Sequence, residues 1–137
     1  MRAAVVYYSE KHKVYLRDIA KALAKGIESQ GIRVDVVNAR EFSNRLTSYQ
    51  FVAFGTEASG TFGGQISPDV SKFLKRTVSV SGIRSFGFIA RKGMRCGKSL
   101  LSLMKAMEAE GMFLLSSDVI GGSDVAEDIG KKLIIKS

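Results

Sequence analysis

Five short apolar runs, each followed by a stretch with helical spacing, divide this chain from end to end. The runs lie near Ala3–Tyr8, Val34–Val37, Phe51–Gly55, Phe86–Ala90 and Phe113–Val119. Strands that alternate with helices build a parallel sheet covered on both faces. Open sheets of that kind bind ligands in the crevice beyond the carboxyl ends of their strands. The loops that follow the strands are therefore the places to look for function.

The helical stretches carry their own punctuation. Leu16, Ile19, Ala20, Leu23 and Ile27 recur on one stripe, Arg17, Lys21, Lys25 and Glu28 fall elsewhere, and Gly31 supplies a stop. A second helix opens at Ser67-Pro68-Asp69, a hydroxyl cap followed by proline, and turns Val70, Phe73, Leu74 and Thr77 inward. The third runs from about Lys98 to Glu110, with Leu100, Leu103, Met104 and Met107 inward and Gly111 as its end. The last is expected to start at Asp124, with Glu127 completing a capping box and Val125, Ile129 and Leu133 buried.

At 137 residues and 45% hydrophobic, the chain fits one domain, 1–137, with a real core. Its single cysteine, Cys96, cannot staple the fold, and with one histidine, His12, no metal centre is expected. The apolar run at the amino terminus is too short for a leader or a membrane span and reads as the first strand. A reduced, cytoplasmic protein that does not enter a membrane is the expectation.

The segment Thr47–Lys75 carries a family resemblance. Tyr49-Gln50-Phe51-Val52-Ala53-Phe54-Gly55-Thr56 is followed by the glycine-rich Ser59-Gly60-Thr61-Phe62-Gly63-Gly64-Gln65, then by Ser67-Pro68 and a helix ending in Phe73-Leu74-Lys75. This resembles the middle of a flavodoxin, and the element plan extends the resemblance to nearly the whole chain. It implies a three-layer, doubly wound α/β fold with a five-stranded parallel sheet in the order 2-1-3-4-5 and a crevice between strands one and three. It also implies that FMN binds in that crevice and that the protein passes electrons, as a carrier or a small oxidoreductase, to a redox partner. The flavin would supply the redox chemistry and no side chain would be catalytic.

Carried onto this sequence, the resemblance assigns Ser9, Glu10, Lys11, His12, Lys13 and Val14 to the phosphate. Thr56, Glu57, Ala58, Ser59, Gly60, Thr61, Phe62 and Gly63 fall on one side of the ring, and Ala90, Arg91, Lys92 and Gly93 on its pyrimidine edge. The departures are informative. Flavodoxins hold the phosphate with threonines, a glycine and an asparagine, and here only Ser9 fits. Lys11, His12 and Lys13 offer charge in their place, or form a plain solvated loop. Phe62 is one stacking aromatic; the third loop, Arg91 to Gly97, has none. Thr56-Glu57 stands where the family has a hydroxyl residue followed by proline.

Charge separates this chain further from electron-carrying flavodoxins, which are typically acidic. The net charge is +8, and between Val70 and Met107 there are nine basic residues and no Asp or Glu. Lys11, Lys13, Arg91, Lys92, Arg95 and Lys98 are all expected at the carboxyl end of the sheet, which points to an anionic ligand or an acidic partner surface. The alternative to FMN binding is thus a cofactor-less module that docks such a partner. Nucleic-acid or nucleotide binding stands third, because the aromatics among these basic residues, Phe73, Phe86 and Phe88, occupy core positions.

Two nearby motifs fall short. Gly93-Met94-Arg95-Cys96-Gly97-Lys98-Ser99 follows a strand and opens a helix, yet is one residue short of a P-loop. Cys96 lies near Arg95 and Lys98, which favour thiolate, but no arginine six residues later completes a phosphatase loop. A phosphorelay receiver would need an aspartate at the end of the third strand, where Phe54-Gly55-Thr56 has none.

Overall fold

In the computed structural model, which describes residues 1–58, 65–78, 82–91 and 96–135, the expected alternation is realised throughout. The elements are β1 (Arg2–Tyr8), α1 (Lys13–Glu28), β2 (Arg33–Asn38), β3 (Phe51–Glu57), α2 (Pro68–Thr77), β4 (Arg84–Ala90), α3 (Cys96–Ala109), β5 (Phe113–Ile120) and α4 (Ser123–Lys132). All five strands are parallel and lie in the order β2-β1-β3-β4-β5.

Central strands buried on both faces explain the near-continuous apolar runs. In β1, Ala4, Val6 and Tyr8 face one core with Val70, Phe73 and Leu74 of α2 and Leu103 and Met107 of α3. Ala3, Val5 and Tyr7 face the other, with Leu16, Ile19, Leu23 and Ile27 of α1 and Ala126 of α4. The sheet is therefore the middle of three layers, with α2 and α3 on one side and α1 and α4 on the other.

The local signals hold at α1, α2 and α3. Ser67 Oγ accepts from the Asp69 amide at 3.3 Å, capping α2. Gly31 and Gly111 adopt φ of 85° and 82°, the left-handed conformation that ends α1 and α3. At α4 the expectation is corrected. The helix begins at Ser123 behind Gly122, with no side-chain cap, and Val125 is 50% exposed. Glu127 instead pairs with Lys131 at 3.4 Å and with Lys25 of α1 at 3.8 Å. Lys131 one turn on and Lys25 across the helix pair draw its carboxylate away from the amide end.

One boundary matters for the site. β3 runs two residues beyond the expected Gly55, so Thr56 and Glu57 belong to a buried strand end and not to the loop after it.

Candidate functional site: an anion nest closed by its own carboxylate

The ends of β1 and β3 are neighbours, with Tyr7 opposite Gly55 and Tyr8 opposite Thr56. Thr56 Oγ1 donates to the Tyr8 carbonyl at 2.7 Å and ties the two ends together. Glu57, the next residue, is thereby placed under the loop that leads from β1 into α1. It is 3% exposed.

Its carboxylate is the centre of that loop. Oε1 accepts from the Glu10 amide at 2.7 Å and from the Lys11 amide, and Oε2 accepts from the His12 amide at 2.9 Å. Ser9 Oγ contacts both oxygens, at 3.3 and 3.2 Å. Successive amides at the head of a helix form a nest with positive potential, the arrangement proteins use to hold phosphates. Here the anion is a side chain from the adjacent strand. A buried carboxylate is costly unless it is hydrogen-bonded, and these donors supply what water would.

The outer side of the same loop is clamped as well. Glu10 accepts from Ser67 Oγ at 2.7 Å and from Arg40 at 3.1 Å, with Tyr8 Oη 3.2 Å from its carboxylate. Arg40 also donates to the Ser9 carbonyl at 2.9 Å and lies over the Tyr8 ring at 4.9 Å. Tyr8 Oη donates to Asp69 at 2.9 Å. Burial, then the bond to Asp69 and the charge of Glu10, push the Tyr8 phenol up to about 12. The loop without a glycine is thus held between two carboxylates, Glu57 beneath it and its own Glu10 on the flank.

At the ends of β4 and β5, Tyr15 Oη of α1 lies between the carbonyls of Arg91, at 3.0 Å, and Gly121, at 3.2 Å, which share its one proton. The Arg91 amide donates to the Ile120 carbonyl at 2.8 Å. Both backbone groups of Arg91 are engaged within the fold, and Ala90 is a buried strand residue. Lys13 and Val14 form the exposed first turn of α1. Ala58 is buried. The expected ring contacts Ser59, Gly60, Thr61, Phe62 and Gly63, and Lys92 and Gly93 of the pyrimidine edge, lie outside the described residues.

Tested against this geometry, the described phosphate-side residues do not fit FMN. The amides of Glu10, Lys11 and His12, expected to receive the phosphate, all point at Glu57, and a second anion would meet that carboxylate. Sequence reasoning placed these residues at one locus but assigned Glu57 to the ring side. The available signal was an acid standing where flavodoxins have proline, beside a loop stripped of their hydroxyls. Tyr8, Arg40, Ser67 and Asp69 left no such signal, because they meet only through the fold.

Comparison with solved structures agrees on the architecture. The fold is flavodoxin-like. A flavodoxin from the domain Archaea matches at TM-score 0.70 and 20% identity, covering 96% of this chain and 94% of that one. Oxidised flavodoxin 1 from Bacillus cereus matches at TM-score 0.70 and 14% identity, over 98% and 100% of the two chains. The flavodiiron protein from Giardia intestinalis matches at TM-score 0.71 and 14% identity, with 96% of this chain covering 35% of that one. No protein-family model matches the sequence, and no curated protein does. Among the described residues of this flavodoxin-like domain, no helix is long and apolar enough to cross a membrane, and no cluster of His, Cys, Asp or Glu is placed to hold a metal. Cys96 is buried at the first residue of α3.

Proposed function

We propose that this flavodoxin-like domain is a docking module for an acidic partner protein. The observation that carries this proposal is the one-sided charge of the α2–α3 layer. Lys72, Lys75 and Arg76 on α2 and Lys98 and Lys105 on α3 are all exposed. Among the described residues, the ion pair on these helices is Lys72 with Asp69, at 3.8 Å. The opposite layer neutralises itself, with Lys25 and Lys131 near Glu127 and Lys132 at 3.0 Å from Asp128. Uncompensated charge on one layer steers and orients a partner of opposite sign.

Two grooves border this layer. One, about 250 Å³, is lined by Gln65, Lys98, Leu101, Ser102 and Lys105, with Leu101 51% exposed between the two lysines. The other, about 370 Å³, runs along α2 past Arg40, Lys72 and Arg76, with Asp69 as the one acid of its lining among the described residues. An apolar contact flanked by cations suits an acidic segment that also carries apolar side chains.

Anisotropy of a labelled Asp/Glu-rich peptide tests this directly. Binding is expected to weaken with salt, as the screening length falls from about 30 Å at 0.01 M to about 8 Å at physiological strength. Lys98→Glu with Lys105→Glu should weaken it about tenfold, a change of about 1.4 kcal/mol. Unchanged affinity in that variant, or binding of a single-stranded oligonucleotide in preference to the peptide, would contradict the proposal.

A second reading is FMN binding with electron transfer to a redox partner, and the flavodoxins among the structural neighbours support it. It requires the ring to be held without the usual anchor on the phosphate.

A further inference from the structure

We infer that Glu57 is a resident anion, an internal substitute for the phosphate of a ligand, and that it makes this crevice select against phosphorylated molecules. The loop at 9–12 retains what an oxyanion receptor needs, which is three consecutive amides and a hydroxyl converging at the head of α1. Its threonines and glycine are absent because the anion it receives never leaves. A carboxylate on a strand fixed by the Thr56 hydrogen bond requires no adjustable side-chain cradle.

Three features mark the arrangement as built. Glu57 is buried, with both oxygens hydrogen-bonded. The loop is braced from outside by Arg40, Ser67 and Tyr8 through Glu10. That bracing occupies Glu10 with Arg40 and Ser67, so the charge that an approaching phosphate meets at the amides is that of Glu57. A phosphate-bearing ligand would have to displace Glu57 into a position with fewer donors, and a buried carboxylate stripped of its partners is strongly disfavoured. A neutral ligand, or one whose anionic end lies elsewhere, faces no such barrier.

This inference stands apart from the identity of the docking partner, so failure of the acidic-peptide experiment leaves it intact. Its test is calorimetric and thermal titration of the full-length wild-type protein and of Glu57→Ala with inorganic phosphate, FMN and riboflavin. The wild type is expected to gain no melting temperature from phosphate and to bind FMN no more tightly than riboflavin, including the case in which it binds neither. Glu57→Ala should take up phosphate, with a rise in melting temperature that grows with concentration. It should also prefer FMN to riboflavin wherever the ring binds.

A wild type that prefers FMN by about tenfold or more, equivalent to about 1.4 kcal/mol, overturns the inference. So does a folded Glu57→Ala that ignores phosphate. Should the alanine variant fail to fold, Glu57→Gln replaces it: the amide keeps one acceptor, loses the charge, and turns an N–H donor toward backbone amides. Glu57→Gln should gain melting temperature with phosphate where the wild type does not, and a folded Glu57→Gln that ignores phosphate overturns the inference as the alanine variant would.

Discussion

Two side chains at the carboxyl end of the sheet show how strongly position governs a residue's chemistry. Glu57 is assigned by the sequence to the ring side of a flavin, yet among the described residues it is one of the buried polar groups, with its carboxylate under the loop after β1. Tyr8 ends a core strand with its ring packed inward and its hydroxyl among Glu10, Asp69 and the nearby Arg40. Its pKa, pushed to about 12 from an ordinary 10.0, has a consequence for stability. The folded state holds the phenolic proton more tightly than the unfolded chain, so this contribution is complete below about pH 10 and is lost as pH rises through about 12. Tyr49, raised to about 12 by burial and its bond to Asp35, acts in the same direction. Urea midpoints should therefore fall between about pH 10 and about pH 12, and Tyr8→Phe should shrink that fall without abolishing it. An identical fall in the variant would mean that Tyr8 ionises no differently in the folded protein.

At the scale of elements, the crossing of α1 and α4 depends on two glycines inside helices. A Cβ on Gly26 would stand 2.1 Å from the Glu127 carbonyl oxygen, and one on Gly130 2.4 Å from that of Leu23. Alanine is the better helix former by about 1 kcal/mol, but here its methyl group forces two backbones apart. Overpacking at such a contact costs about 1–3 kcal/mol, so Gly26→Ala should lower the urea midpoint, and a neutral or stabilising effect would show that the helices separate freely. These elements were readable in the sequence because apolar periodicity and punctuation agreed, as at Ser67-Pro68 and Gly31. The ends were not. Asp124 with Glu127 has the spacing of a capping box, but the pattern is silent about Lys25, which comes from a helix about a hundred residues earlier in the chain. The two extra residues of β3 were hidden for a related reason: Thr56 and Glu57 are polar, and their burial is made tolerable by partners at the end of β1 and on the loop after it.

For the molecule as a whole, topology and layer order followed from alternation and resemblance, while the site followed only in outline. The basic run from 70 to 107 was visible as composition, and the fold turns it into exposed cations on α2 and α3 while α4 balances its own. Residues 9–13 were correctly placed at the carboxyl end of the sheet. Their partner was not legible, because nothing in the sequence says that an acid 45 residues on from His12 accepts its amide. Long-range pairing of a polar group with backbone leaves no periodic trace. The most direct test of the central claim is a high-resolution crystal structure grown from concentrated phosphate. The Glu57 carboxylate is predicted to remain on the amides of Glu10, Lys11 and His12, with no phosphate between them. A phosphate seated on those amides, with Glu57 turned away, would contradict the account.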